Sequence, residues 1–406
     1  MPKPKILLMS DHPSADTGMG RVHREIGNGL IARGFDVVSI GWISSLELET
    51  NVSWKVYRTN QSYYGADIFD SVIYNERPDI VLTIGDLWMA RYISDPNQCH
   101  SRFLFQWVMY LAIDGAAYHG GVPDSWPDVI RNPDRVVAYT EFGKGVILKS
   151  LPELRNEIEV VPHGVDTSVY RPLPDADVER MRREFGFQDK TVYLMICRNQ
   201  TRKAIPEFVK GWRKFKETNP RYRNAIFWPH MSFNEQIGWD LNEVFSIYRI
   251  LGDIIYFKDV ANSNQSPYLI PETDLNRLYN ICDVFCLMSG EGWGLPLLEA
   301  MAVGKPCIVM DHSACQELVR GRGELVKVAY YITGHYSTER PLPDIEDLSS
   351  KLAKMYDNPL LRKEYGRKAM EYAKTMTWDF ACDKWKEILV NVLDPTSREL
   401  TLLEAT

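Results

Sequence analysis

The sequence predicts an α/β protein of two similar parallel-sheet domains, and three observations carry that expectation. A chain of 406 residues exceeds what one ordinary hydrophobic core accommodates. Short apolar runs alternate with helical patterns in two successive series, the signature of parallel sheets covered by helices. Glycine-rich turns also lie where an apolar run gives way to a helix, at the carboxyl edge where such sheets bind ligands.

In the first series, residues 6–10 read as a buried strand, followed by a loop through Asp11, His12, Gly18 and Gly20. A helix over 21–32 ends at Arg33-Gly34, and residues 36–40 begin the next strand. His23 stands where a dinucleotide fingerprint would place its third glycine, so the residues argue against a nicotinamide cofactor. Further strands are expected over 79–84, 103–113, 135–139 and 158–161. The loop 114–128 carries His119 and Trp126, and loops of this kind in α/β domains usually bind. Tyr110, Tyr118 and Trp126 could stack on a sugar or a base, or serve core packing.

Pro162-His163-Gly164-Val165-Asp166 closes the first series, and residues 170–174 read as a stiff linker. Asp175 and Asp177 read as capping residues for a helix over 178–185. The second series then runs through a strand at 192–196, a helix at 205–217, and strands at 225–228, 254–257, 284–288 and 307–310. From 348 to about 391 the pattern is helical, and the tail after 394 is expected to fray.

The second series is organised around Ser289-Gly290-Glu291-Gly292-Trp293-Gly294-Leu295-Pro296-Leu297-Leu298-Glu299-Ala300-Met301. Three glycines in five residues precede a helix start with Pro296 in its first turn, and such a start favours an anion, most often a phosphate. Glu299 lies too far into the helix to cap it, so its carboxylate is expected to face a solvated cleft and accept ligand hydroxyls. Arg198 and Lys203 follow the strand at 192–196, where two cations facing a helix start would clamp a diphosphate; the alternative is a solvated basic pair. Any one of these features alone is commonplace. Two glutamates eight apart around Gly-Trp-Gly-Leu-Pro are much more specific.

Glu291 and Glu299 resemble the Glu-x7-Glu motif of retaining family 4 glycosyltransferases, which have the GT-B architecture of two Rossmann-like domains facing each other across a cleft. Thr17-Gly18-Met19-Gly20-Arg21, Pro162-His163-Gly164-Val165-Asp166 and Arg198-Asn199-Gln200-Thr201-Arg202-Lys203 extend the resemblance over most of the chain. The family pattern has glycine where Cys197 stands, and often glycine or asparagine at Ala204. The resemblance implies an acceptor-side domain over 1–168, a donor-side domain over 169–376, and a helix from 377 crossing back to the first domain. It implies that Glu299 holds the ribose of a nucleotide diphosphate sugar and that Arg198 and Lys203 hold the diphosphate. Glu291 with the backbone of Gly292, Trp293, Gly294 and Leu295 would hold sugar hydroxyls. The nucleotide base would lie near Val260, and Gly18 and Gly20 would close over the donor. Asp114 and His119 would take the acceptor side, Asp114 standing where relatives often carry a catalytic histidine.

The implied reaction is retaining transfer from a UDP- or GDP-sugar to a hydroxyl of a glycan, a lipid-linked sugar or a hydroxymethylated DNA base. A nucleotide-sugar epimerase or a non-catalytic nucleotide-sugar-binding protein of the same fold is the alternative. The donor is a co-substrate, and neither a cofactor nor a metal is expected. Asp175-Ala176-Asp177 matches the Asp-x-Asp motif of metal-dependent glycosyltransferases only by chance, and His312 with Cys315 supplies too few ligands.

Composition agrees with this. A net charge of −7 gives no general reason to expect nucleic acid or membrane as a partner. Hydrophobic content of 45% with 25% charged residues is that of an ordinary globular chain. Seven cysteines without Cys-x2-Cys spacing fit a reducing, cytoplasmic setting. No apolar run is long enough to span a bilayer.

Overall fold

A computed structural model describes residues 3–42, 51–59, 64–255 and 270–394. The chain divides into two compact units, one of residues 1–164 with 378–406, the other of residues 165–377.

The first unit holds a seven-stranded parallel sheet. Its strands are β1 (Lys5–Asp11), β2 (Asp36–Trp42), β3 (Lys55–Arg58), β4 (Ile80–Gly85), β5 (Gln106–Leu111), β6 (Arg135–Ala138) and β7 (Ile158–Val160), in the spatial order β3-β2-β1-β4-β5-β6-β7. Helices α1 (Gly18–Ala32), α2 (Phe69–Glu76), α3 (Leu87–Ala90), α4 (Pro127–Ile130) and α5 (Glu141–Ser150) connect them. Strands β1 and β4 are buried along nearly their whole length, because a parallel sheet covered on both faces has no solvent side. The short edge strand β3 carries only four residues with a charged end, and sequence pattern does not distinguish it from loop.

One expectation needs correction here, and one open alternative closes. The apolar run 103–113 yields a strand only over Gln106–Leu111. Arg102 donates to the carbonyls of Phe105 and Asn132 and pairs with Asp134 at 2.8 Å, which holds a turn at Arg102–Leu104 and leaves Phe103 80% exposed. Tyr110 is core: its ring is buried and its hydroxyl donates to the Val161 carbonyl at 2.6 Å, so it is no stacking surface.

The second unit holds a five-stranded parallel sheet of β8 (Thr191–Ile196), β9 (Ala225–His230), β10 (Val284–Leu287), β11 (Cys307–Met310) and β12 (Glu324–Val326), in the order β12-β11-β10-β8-β9. A hairpin of β13 (Val328–Thr333) and β14 (Glu339–Pro343) follows. Its helices are α6 (Asp175–Glu184), α7 (Ile205–Thr218), α8 (Leu241–Ile247), α9 (Glu272–Ile281), α10 (Leu295–Ala302), α11 (Ser313–Val319), α12 (Ile345–Asp357) and α13 (Pro359–Ala373). The predicted strand at 254–257 survives as a single bridge from Ile254 to Phe227, and its remainder from 256 lies outside the described residues.

The expected linker 170–174 is fastened rather than free. The amides of Arg171 and Leu173 donate to the side chains of Asn276 and Asn280 on α9, and Tyr170 is buried against Tyr279. Asp175 and Asp177 occupy the first turn of α6 instead of its cap, which is Pro174; Asp177 pairs with Arg180, and both carboxylates favour the helix start electrostatically.

The last helix, α14 (Trp378–Leu393), belongs to the first unit and lies along α1. Arg33 donates to Asp383 at 2.8 Å and to the Asp379 carbonyl at 2.9 Å, and Trp385 packs edge-on to Tyr110. No helix among the described residues is long and apolar enough to cross a membrane.

Candidate functional site

In the second sheet the chain leaves β8 for β9 on one side and later returns as β10 on the other. The strand order therefore reverses between β8 and β10, and the loops leaving their carboxyl ends diverge around a crevice, the place where open α/β sheets take ligands. The loop after β8 carries Arg198, Arg202 and Lys203; the loop after β10 carries Glu291 to Gly294.

These two loops are joined by a buried ion pair between Lys203 Nζ and Glu291 Oε1. Arg202 approaches Glu291 Oε2 at 3.6 Å and donates to the Gly290 carbonyl at 3.4 Å. The Ser289 hydroxyl donates to Glu291 Oε1. Burial pushes the Glu291 carboxyl up, but Lys203, Arg202 and the Ser289 hydrogen bond outweigh it and hold the group at about 2. Glu291 is thus an anion at neutral pH. Its backbone is held as well: the amide donates to Ser313 Oγ at 2.9 Å and the carbonyl accepts from Ala314 N at 3.3 Å.

Local backbone chemistry explains these positions. Ala204 caps α7 at φ 48°, a left-handed conformation that glycine or asparagine adopts more readily. The preceding Lys203 has a side chain only 7% exposed. Gly294 sits at φ 98° and caps α10, its carbonyl accepting from the amides of Leu297 and Leu298. Trp293 and Leu295 are buried, and Gly292 is half-buried.

The structure gives the state of three of these side chains, and one of them, Glu299, departs from expectation. Lys203 is the partner of Glu291, since a desolvated ammonium without a counter-charge would be costly. Arg198, whose side chain is 54% exposed, donates through Nε to Glu235 Oε2 at 2.6 Å. Glu299 does not face solvent: every residue of α10 is buried, and Glu299 Oε2 accepts from the Tyr279 hydroxyl at 2.7 Å. Sequence reasoning missed Arg202, Glu235, Tyr279, Ser289 and Ser313. Only Arg202, next to Lys203, and Ser289, which opens the glycine-rich stretch, gave any signal along the chain.

In the first unit, Gly18 and Gly20 form the first turn of α1 instead of a preceding loop. Thr17 Oγ1 accepts from Gly20 N at 2.9 Å and donates to Asp11 Oδ2 at 2.7 Å. A Cβ on Gly20 would lie 2.6 Å from the Ala15 carbonyl oxygen, so glycine is required there for packing. His119 is held by Asp124 at 3.3 Å and accepts from Gly121 N, while Asp114 is half-buried. Val260 lies outside the described residues. No group of three or more His, Cys, Asp or Glu side chains among the described residues is arranged to hold a metal ion.

Residues 265–372 match the family of glycosyl transferases group 1. Mannosylfructose-phosphate synthase of Agrobacterium fabrum is 28% identical over 254 residues, covering 62% of this chain and 51% of that enzyme. D-inositol 3-phosphate glycosyltransferase of Thermomonospora curvata is 24% identical, covering 66% of this chain and 59% of that enzyme. The chain therefore spans little more than half the length of these curated relatives. Among solved structures, sucrose-phosphate synthase of Thermosynechococcus elongatus superposes with a TM-score of 0.73 at 17% identity, covering 96% of this chain and 99% of that one. Anabaena HepE in complex with UDP and glucose gives 0.71 at 13% identity, covering 96% and 100%. At such identities the structures speak for the fold, while the family match speaks for residues 265–372. The chain thus carries a glycosyl transferases group 1 domain over residues 265–372, its sequence relatives are glycosyltransferases, and its fold is that of GT-B enzymes.

Proposed function

We propose that the protein is a retaining glycosyltransferase that moves a sugar from a nucleotide diphosphate sugar to a hydroxyl acceptor. The observation that carries this is the buried Lys203–Glu291 pair with Arg202 beside it, set between the loops after β8 and β10. Cleaving a glycosyl–phosphate bond leaves negative charge on the departing diphosphate. Cations already fixed before the reaction stabilise that charge without reorganising. Lys203, Arg202 and Arg198 take this role, and Glu299 with Tyr279 takes the ribose. Glu291 and the Gly292 to Leu295 backbone take the sugar. A UDP-sugar is the favoured donor, in keeping with the UDP and glucose bound by HepE. On the strength of the resemblance, the first unit supplies the acceptor side with Asp114 and His119, and Gly18 and Gly20 are donor-binding residues.

The state of Glu291 bears on stereochemistry. A carboxylate committed to Lys203 and the Ser289 hydroxyl is a poor nucleophile for a double displacement and holds no proton to give. Attack on the face the diphosphate leaves, with a phosphate oxygen taking the acceptor proton, needs neither.

The test is product detection by mass spectrometry after incubation with UDP- and GDP-sugars and a panel of acceptors. The panel includes glycans, lipid-linked sugars, hydroxymethylated DNA and, because the relatives are named for them, sugar and inositol phosphates. A glycosylated acceptor with the donor's anomeric configuration is expected. Donor epimerised or hydrolysed with no acceptor product across the panel would replace this reading with the epimerase.

A further inference from the structure

Strands β8 and β9 are neighbours and parallel, so the loops leaving their carboxyl ends lie side by side. The loop after β9 is pinned to the loop after β8. Asn199 Nδ2 donates to the Trp239 carbonyl at 2.7 Å and its Oδ1 accepts from Trp239 N at 3.1 Å. Thr201 N donates to the Ile237 carbonyl at 3.2 Å. Gly238 comes so near that a Cβ there would lie 2.3 Å from the Asn199 carbonyl oxygen. This clamp holds Glu235, whose side chain is 6% exposed, against Arg198.

The contact is one-sided on both partners. Arg198 uses only Nε, and its side chain is more than half exposed. Glu235 uses only Oε2; Oε1 is buried and makes no hydrogen bond. A buried carboxylate oxygen without a partner is costly, and stability alone gives no reason to keep it. A guanidinium held by Nε is, however, fixed in plane and direction, with both terminal nitrogens left for a bidentate anion.

We propose that Glu235 is a positioning residue that locks Arg198 through Nε, so that its two terminal nitrogens are presented to the diphosphate of the nucleotide sugar. This rests on the reading of the chain as a glycosyltransferase. The opposing possibility is a blocking contact, in which Glu235 competes with the diphosphate for Arg198.

Two measurements decide the matter. The first needs no donor. In side-chain nitrogen NMR of the full chain, with Arg198→Lys for assignment, the Arg198 Nε–H signal should be protected from exchange in the wild type and lose that protection in Glu235→Gln. A wild-type signal exchanging as fast as that of a solvent-exposed arginine overturns the lock, whatever the protein's activity. The second is a kinetic cycle of wild type, Glu235→Gln, Arg198→Ala and the double variant with UDP-sugar. Glu235→Gln should lower kcat about tenfold, the lower end of the cost of losing an orienting partner, with donor KM little changed. In the Arg198→Ala background it should change kcat by less than about twofold, because the effect passes through Arg198. Additive losses, or a lower donor KM with kcat intact, overturn positioning, the latter in favour of blocking. Failure of the proposed function shows separately, as a protected Nε–H in a protein that turns over no nucleotide sugar.

Discussion

Each unit has a glycine-rich turn where a strand hands over to a helix at its sheet's carboxyl edge, yet the two turns are built for different ends. After β1, Thr17 satisfies the Gly20 amide, and Gly20 is small because carbonyl oxygens of Ala15 and His12 leave no room. The polar groups behind it are neutral or poorly solvated. His23 bridges the Asp11 carbonyl and Ser39 Oγ, both at 2.8 Å, and burial pushes it down to about 4, while burial raises the Asp11 carboxyl. After β10, Gly294 serves a left-handed cap, and the surroundings are ionic: Lys203 and Glu291 form a buried pair with the half-exposed Arg202 beside them. Glycine spacing alone therefore says where a chain turns tightly. Ionised groups fixed beside the turn say what the turn is for.

The sharpest way to break this comparison is to remove the ionic half. Lys203→Ala takes from buried Glu291 its nearest counter-charge and leaves only Arg202 at 3.6 Å and the Ser289 hydroxyl, which costs up to roughly 3–5 kcal/mol of stability. It should also lower turnover at least about a hundredfold, the loss expected for one transition-state charge contact. The double variant Lys203→Ala/Glu291→Ala separates the two effects, since removing both charges removes the unpaired one. Thermal unfolding should recover towards wild type while turnover stays low. Recovery of turnover along with stability would make the pair a structural staple, no different in kind from the Thr17 cap.

A smaller effect sharpens the same contrast through pH. His23 has a folded value near 4 against an ordinary 6.5, so the unfolded chain binds a proton first as pH falls. Stability of the first unit should decline from pH 6.5 and level off below 4, by up to about 3 kcal/mol for a shift of that size. His163, pushed down to about 3 by burial, acts in the same direction. Glu291, at about 2 against 4.5, contributes stability that is intact above 4.5 and lost between 4.5 and 2. Hydrogen exchange at pH 5.5, corrected for intrinsic rate, should therefore show loosening around β1 and α1 before the peptides of β10 and α10. Loosening of the second unit first would mean that its charge cluster is less well paired than the geometry shows.

These contrasts also mark what sequence can carry. The alternation of apolar runs, the two series and the turns between strand and helix follow from periodicity, and the α/β fold was legible from them. So was the meeting of the loops that carry Lys203 and Glu291, because strand ends at a common edge bring their loops together. The pairing was not legible. Glu235 lies 37 residues from Arg198 and Tyr279 lies 20 from Glu299, and no local pattern encodes which side chain meets which across an edge. The burial of Glu299 was missed for a related reason. A glutamate along a helix reads as facing solvent or a cleft, but α13 covers α10, with Gly366 backed onto Gly304 just past its end.

The smallest expected effect is none at all, from removing divalent metal. Some group must neutralise a departing diphosphate, and where an ion does so, several oxygen ligands must line a cavity of suitable size. Here the carboxylates at the site are already committed: Glu291 to Lys203 and Ser289, Glu235 to Arg198, and one oxygen of Glu299 to Tyr279. Asp177 of the Asp-x-Asp triplet is spent on Arg180 in α6. An incoming divalent ion would compete with Lys203 and Arg202 for Glu291 and be repelled by both. Turnover should accordingly be unchanged in excess chelator, with the same donor KM and kcat. Loss of activity in chelator that manganese restores would mean that the cations after β8 do not carry the leaving group, and the ionic turn of the second unit would need another purpose.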